Sequence, residues 1–257
     1  MKKIFIRIGF LSLLFCSGCA TVATNTITQT STIDALLAGS YDGSVSCRQL
    51  LQYGDFGIGT FDRLDGEMIL LNGRIYQVKA DGAVYMPDPS VTSPFASVCR
   101  FVPDNHFTLQ SKSDYKMIQE TIDQAVPNKN IFCAVRIHGR FASMKTRSVP
   151  AQTKPYPLLA DVTKNQPVFN MESIQGTIVG FRCPDFVKGV NVPGYHFHFL
   201  SDDSTRGGHI LDFVLDEGNC EVDVCHRFLL VLPEGGKGME HLDLSLDRTG
   251  ELQKVEK

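Results

Sequence analysis

The sequence predicts an α+β fold in which two packed subdomains of mixed or antiparallel β-sheet carry few helices. Three observations support this fold class. Short apolar runs in the first half are separated by Asp-Gly and Asn-Gly pairs, which favour the tight turns of β-hairpins. Only one segment has a helical period. A Pro-rich connection starting at Pro150 then leads into further alternating strands, so we expect two halves joined by a crossing.

The predicted elements follow in chain order. Residues 44–51 fit either a short helix or a strand. The short strands that follow, up to residue 86, are connected by hairpin turns and are predicted to form a meander. The helix is predicted at 113–125, where Ser113 caps it and Pro127 ends it. The predicted strands are 57–61, 67–71, 74–78, 83–86, 131–143, 176–182, 194–200, 209–216 and a last one near 225–232.

The first nineteen residues have the composition of a secretory signal peptide. A basic start precedes an apolar run that is too short to span a bilayer. Small residues before Cys19 resemble a lipoprotein signal, which predicts a lipid anchor on Cys19. Ordinary cleavage near Ala20 or Ala23 is the alternative, and a buried N-terminal helix is a third. We therefore expect an exported protein that is periplasmic or secreted, with or without the anchor.

The remaining chain divides into three predicted parts. Residues 20–32 are rich in Thr and Ser and are predicted to form a tether. Residues 33–155 are predicted to form an N-terminal β-rich subdomain. Residues 156–257 are predicted to form a C-terminal metal-binding subdomain that ends in an active-site tail.

Charge and cysteine content narrow the possible partners. The net charge of −3 gives no field that would attract nucleic acid. Beyond the leader there are six cysteines. Cys220 and Cys225 are close enough in sequence to bridge, although spacing does not fix connectivity. For the other four we expect buried free thiols.

The most informative motif is a histidine hairpin at 194–209. Because side chains alternate along a strand, His196 and His198 point to one face and Phe197 points to the other, into a core. His209 opens the next strand and reaches the first two across the hairpin. Three imidazoles suit a metal site with open positions, whereas two surface histidines on one strand arise easily by chance. The spacing alone does not choose between zinc, iron, copper and nickel.

With this hairpin, several other motifs make the chain from about residue 33 onward resemble the acetolactate decarboxylase family. Any one motif is weak, but their occurrence in this order is specific. They are 57–61 (GIGTF), 64–67 (LDGE), 71–73 (LNG), 83–87 (AVYMP), 146–150 (TRSVP), Gln152, 155–156 (PY) and 207–209 (GGH).

The resemblance implies a set of site residues. His196, His198 and His209 match the family's zinc ligands, so Zn²⁺ is the expected cofactor. Glu67 and Arg147 match active-site residues. A second active-site glutamate comes from the C-terminal tail, where Glu256 is preferred and Glu251 is the alternative. Thr60 is expected to line the substrate pocket, and the family also suggests a homodimer.

The reaction implied is decarboxylation of (S)-2-acetolactate to (R)-acetoin and CO₂. Zinc would chelate the substrate hydroxyl and carbonyl oxygens, Arg147 would bind carboxylate, and a carboxyl group would protonate the enediolate. Two rivals remain open. A cupin-like metal oxygenase would take Asp202 or Asp203 as a further ligand. A non-catalytic metal-binding module resembling the plant and prokaryote conserved domain would explain only the second half.

Overall fold

The computed structural model describes residues 24–110, 112–236 and 238–256. The predicted signal peptide and Cys19 lie outside these residues, so export and lipidation stay predictions. The homodimer also stays a prediction. Among the described residues, helices are too short or too polar to cross a membrane. The structure is mostly β-sheet with few helices, which confirms the predicted fold class.

The helices are short except for the third. They are α1 (Ile33–Leu37), α2 (Cys47–Leu50), α3 (Tyr115–Ala125), α4 (Leu159–Val162) and α5 (Thr249–Val255). The strands are β1 (Thr26–Thr30), β2 (Val45–Ser46), β3 (Phe56–Thr60), β4 (Glu67–Leu71), β5 (Arg74–Val78), β6 (Val84–Tyr85), β7 (Thr92–Ser93), β8 (Ala96–Cys99), β9 (Asn105–Leu109), β10 (Ser113–Asp114), β11 (Phe132–Arg147), β12 (Val168–Cys183), β13 (Gly194–Ser201), β14 (Gly207–Cys225) and β15 (Arg227–Val231).

The first sheet is mixed and has the order β15-β1-β8-β3-β4-β5-β6. Its parallel pair joins β1 to β15, from opposite ends of the chain. The remaining pairs are antiparallel. The β3–β4–β5 meander follows the sequence prediction closely because its turns contain Gly66 and Gly73, both with positive φ. This sheet positions Thr60 and Glu67.

The second sheet is antiparallel and closes on itself. Its order is β10-β14-β11-β12-β13, with β9 also paired to β14. Because β13 pairs with the start of β14 as well, β11 to β14 form a ring. The ring encloses an apolar core that includes Phe141, Phe197, Phe199 and Phe213, and α3 packs against it through Ile118 and Ile122. This ring positions the histidines and Arg147.

A second apolar cluster lies between the two sheets. Ile58 and Ile69 from the first sheet meet Val179 and Leu200 from the second. A third cluster joins α1, α4 and α5 beside the sheets. The catalytic candidates therefore lie where the two sheets and the last helix meet.

The tether prediction is wrong for residues 26–30. They form β1, an interior strand of the first sheet between β15 and β8, and most of its side chains are buried. The Thr-rich composition resembles that of a linker, but β-branched threonine also suits a strand. Ile27 is fully buried between β8 and β15.

One further prediction needs correction, and the structure decides one cysteine pairing that the sequence left open. Helix α3 is capped by Asp114, whose side chain accepts a hydrogen bond from the Met117 amide, and Ser113 lies in β10. Cys220 and Cys225 do not bridge. They lie five positions apart on β14, face different apolar clusters, and are both free and buried. An odd separation on a strand points two side chains to opposite faces.

The predicted division after residue 155 does not separate the two sheets. Strand β11 precedes that point and belongs to the second sheet, whereas β15 follows it and belongs to the first. The division into subdomains itself stays a prediction.

Candidate active site and metal centre

Strand pairing brings the three histidines together. His198 on β13 lies directly opposite His209 on β14, and His196 precedes His198 by two residues on the same face. Their nitrogen ligand atoms all lie within 4.8 Å of one another. His198 and His209 are almost fully buried, and His196 retains a small exposed fraction. The predicted cluster is therefore compact and open on one side.

The environment keeps these imidazoles neutral. Burial is the main reason why the pKa of His196 falls to about 3 and those of His198 and His209 fall well below their usual value. The positive charge of Arg147 lowers all three further. Neutral histidines are the form that binds metal ions.

The orientation of His198 also fits a metal ligand. Its Nδ1 lies 2.8 Å from the Met68 carbonyl oxygen. Because a carbonyl only accepts hydrogen bonds, Nδ1 carries the proton and Nε2 keeps its lone pair. Nε2 is buried without a hydrogen-bond partner, which is costly unless something binds it. A backbone partner of this kind is typical of metal-binding histidines, so the residues present fit a metal ion.

A tight turn aims Glu67 at the histidines. Gly66 has φ +89°, and a Cβ there would lie 2.2 Å from the Val78 carbonyl oxygen. The Thr60 hydroxyl donates to the Gly66 carbonyl at 2.7 Å, which fixes the turn from the neighbouring strand. Glu67 then begins β4, with its Oε2 3.6 Å from His198 Nε2.

Arg147 connects two parts of the site. It lies opposite His209 in the β11–β14 pair. Its Nη1 donates to Glu67 Oε1 at 2.7 Å, and its Nη2 donates to the Val255 carbonyl at 3.1 Å. Its side chain is only 5% exposed. The guanidinium therefore holds Glu67 with one nitrogen and the C-terminal helix with the other.

Helix α5 carries the second glutamate into the site. Leu252 and Val255 are buried against α1 and α4. Glu256 follows, with its Oε2 3.8 Å from His209 Nε2 and 3.9 Å from His196 Nε2. Glu251 instead pairs with Arg248. The structure thus brings Glu256, and not Glu251, to the histidines.

Both glutamates have raised pKa values. Burial raises the pKa of Glu67 to about 7, although Arg147 opposes the shift and Glu256 adds to it. Burial likewise raises the pKa of Glu256 to about 7 against the effect of Arg147. Carboxyl groups with such pKa values exchange protons readily near neutral pH.

These groups share one cavity. Thr60, Glu67, Arg147, His196, His209 and Glu256 line its polar side. The opposite side is apolar and is formed by Ile33, Leu36, Leu64, Phe95, Val149, Leu159 and Val255. Six of the seven predicted site residues therefore line this cavity. The seventh, His198, belongs to the same histidine cluster.

Sequence reasoning missed several supporting groups. The Met68 and Val255 carbonyls act through the main chain, which has no sequence signal. The Thr146 hydroxyl donates to the Gly207 carbonyl at 2.8 Å and so anchors the turn before His209. Thr146 belongs to the motif at 146–150, and that motif could have indicated its structural role. Part of the apolar lining comes from α1 and α4, whose short length left no clear helical period.

The two aspartates offered as alternative ligands point elsewhere. Asp202 pairs with His138 on the second sheet. Asp203 accepts hydrogen bonds from Ser201 and Thr205 within its own turn. Neither joins the histidine cluster, so the arrangement differs from the one expected of a cupin-like oxygenase.

Comparison with known proteins identifies the family to which this chain belongs. Residues 27–245 match the family model described as alpha-acetolactate decarboxylase. The chain is 45% identical over 235 residues to the alpha-acetolactate decarboxylase of Methanosarcina mazei, which covers 91% of this chain and 81% of that protein. It is 44% identical over 207 residues to that of Klebsiella aerogenes, which covers 80% of each. The crystal structure of alpha-acetolactate decarboxylase from Bacillus subtilis strain 168 aligns with a TM-score of 0.87 and 35% identity, covering 90% of this chain and 99% of that chain. The chain therefore belongs to the alpha-acetolactate decarboxylase family and is a decarboxylase.

Proposed function

We propose that this enzyme converts (S)-2-acetolactate to (R)-acetoin and CO₂ and that it depends on zinc. The observation that carries the proposal is the convergence of three neutral histidines, two protonatable glutamates and one arginine on a single buried cavity. Three histidines are a common donor set for catalytic zinc. His196, His198 and His209 would hold the ion.

Zinc bound there would supply Lewis acidity toward the hydroxyl and ketone oxygens of the substrate. The remaining chemistry belongs to the protein. Loss of CO₂ leaves the electron pair of the broken C–C bond on the substrate as an enediolate. The cavity excludes most water because Glu67, Arg147 and His209 are each no more than 5% exposed. In such surroundings fixed charges act strongly on the developing negative charge.

Arg147 supplies the positive charge nearest to the glutamates. Both of its Nη atoms already have partners, and its Nε is buried without one. We infer that its main task is to position Glu67 and the end of α5. Its charge also favours an anionic substrate in the cavity.

Glu67 and Glu256 are the candidate proton donors to the enediolate carbon. Both approach the histidines within 4 Å, and a pKa of about 7 lets each group carry a proton at neutral pH. Glu67 comes from β4 and Glu256 from the end of α5, and they approach different histidines. Protonation from one fixed side of the substrate would account for a single acetoin enantiomer.

The test measures CO₂ release from racemic 2-acetolactate by the purified protein. Activity should disappear on removal of metal with a chelator and return on addition of zinc. His198→Asn should bind less zinc and lose activity, whereas His138→Asn, an exposed histidine outside the cluster, should retain both. Absence of CO₂ release from a folded, zinc-loaded sample would refute the substrate assignment. Full activity in a metal-free sample would refute the zinc dependence.

The non-catalytic module is the weaker candidate. It accounts for the histidine hairpin but gives no reason for two glutamates and an arginine that meet from β4, β11 and the end of α5. A folded protein that binds zinc and has no decarboxylase activity would reverse this ranking.

A further inference from the structure

Two buried cysteines from different sheets lie in the same apolar cluster, away from the histidines. Cys99 ends β8 in the first sheet, and Cys225 ends β14 in the second. Both are fully buried in the cluster between the sheets. The Cys225 thiol is near enough to contribute to the raised pKa of the Cys99 thiol.

The backbone around these thiols is tied on both sides. The segment after Cys99 runs beside the end of β14, where the Val102 amide donates to Asp223 Oδ2 at 2.8 Å and the Asp104 amide donates to the Val222 carbonyl at 2.9 Å. On the other side, β1 lies opposite Cys99 through Ile27. The main chain thus holds Cys99 and Cys225 next to each other.

The other thiols cannot replace Cys99 as the partner of Cys225. Cys133 and Cys220 face the core inside the ring, on the other side of β11 and β14, and Cys47 lies in another cluster. Cys183 lies two strands away, because Phe132 on β11 stands between Cys225 on β14 and the end of β12. Two strand spacings are about 9.5 Å, which exceeds the separation of about 7 Å that a disulfide tolerates between Cα atoms.

We propose that Cys99 and Cys225 are a redox pair that forms a disulfide between the two sheets. The oxidant is a low-molecular-weight or protein disulfide. One cysteine attacks it as the thiolate, forms a mixed disulfide and releases the first oxidant thiol. The second cysteine then attacks the mixed disulfide, forms the Cys99–Cys225 bond and releases the second oxidant thiol. The protein loses two hydrogens, and the oxidant becomes two thiols.

The bond would close a loop from residue 99 to residue 225. Loops of that length give a cross-link its greatest effect on the unfolded chain. It would also join the sheet that carries Glu67 to the sheet that carries the histidines. Burial and the neighbouring Cys225 thiol raise the pKa of the Cys99 thiol, so exchange in the folded state is slow.

The test is a disulfide map of the full-length protein. Protein is refolded in a mixture of oxidised and reduced glutathione, free thiols are alkylated, and the chain is cut with trypsin and with a protease that cleaves after Glu. Cleavage after Glu221 separates Cys220 from Cys225. We expect the peptide of residues 80–100 joined to the peptide of residues 222–227. Alkylation of both Cys99 and Cys225 after oxidation, or a bond from Cys225 to Cys220 or Cys183, would overturn the proposal.

Thermal unfolding gives a second readout. The oxidised protein should have a higher Tm than the reduced protein, and dithiothreitol should abolish the difference. Cys99→Ser should remove this response, and Cys220→Ser should keep it. An equal response in both variants would contradict the pairing. The map on the unaltered protein decides the question even where Cys99→Ser does not fold.

Discussion

The contact between Arg147 and Glu67 yields the sharpest prediction. It is a charge-assisted hydrogen bond of 2.7 Å between side chains that are 5% and 7% exposed. A hydrogen bond to a charged group contributes about 1.5–3 kcal/mol. Loss of that positioning should lower kcat/KM about 10- to 150-fold. Arg147→Met also leaves the Val255 carbonyl without its partner, so we expect its effect at the upper end.

The double variant separates positioning from independent action. Arg147→Met removes the group that holds Glu67 Oε1 in place, so Glu67 is already out of position. Glu67→Gln then has little left to remove in the Arg147→Met background. The double variant should retain about 1.5–3 kcal/mol more transition-state stabilisation than the sum of the single effects predicts.

The assay is kcat/KM for CO₂ release, measured for four proteins whose zinc content has been equalised. The control cycle uses Arg140→Met and Glu217→Gln, an exposed pair at 3.3 Å on the second sheet, where the coupling should be close to zero. If the Arg147 and Glu67 effects simply multiply, within about 0.5 kcal/mol, then Arg147 does not act through Glu67 and the reasoning is wrong.

Three further predictions concern the tail, a glycine and a buried aspartate. Glu256→Gln should lower kcat at least about 100-fold, whereas Glu251→Gln, which loses only a pair with Arg248, should leave kcat nearly unchanged; steady-state kinetics of both variants tests this. Gly208→Ala should destabilise the fold by more than Gly73→Ala in urea unfolding, because a Cβ at Gly208 would lie 2.5 Å from the Arg147 carbonyl and one at Gly73 meets nothing within 4 Å. Both glycines have positive φ, +128° at Gly208 and +74° at Gly73, so alanine is strained at each, and equal effects would show that the close approach is unimportant. Burial, reinforced by Asp104 and Asp55, raises the pKa of Asp223 to about 6. Since the folded pKa is raised, the contribution of Asp223 to stability is fully present below pH 4 and is lost as pH rises through 6. Asp223→Asn should therefore gain stability relative to wild type between pH 4 and pH 7 in urea unfolding, and a constant difference across that range would contradict this.

Local signals predicted the parts of the site that lie on single hairpins. The strand bounds 67–71 and 74–78 match β4 and β5 because the Asp-Gly and Asn-Gly turns fix both ends of the meander. Alternation along β13 correctly placed Phe197 and Phe199 in the core and the histidines on the opposite face. These features depend on neighbours within about ten residues.

Features that depend on distant partners could not be predicted in the same way. Strand β1 gains its place by pairing with β15, about two hundred residues later in the chain. The choice of Glu256 over Glu251 depends on where α5 packs, and spacing in a short tail carries no such information. For Cys225, the neighbouring thiol of Cys99 lies in another sheet, and proximity in sequence offered only Cys220 as a possible partner.

The position of Arg147 explains why the site needs both sheets and the last helix. Helix α5 has only seven residues, and helices of that length are not stable alone in water. Its order must come from burial of Leu252 and Val255 against α1 and α4 and from the Arg147 bond to the Val255 carbonyl. The same guanidinium holds Glu67. A planar fork directs two donors at once, which a lysine ammonium on its flexible stem does less well. Both glutamates therefore reach the histidines only when the two sheets and the final helix have packed around this one side chain.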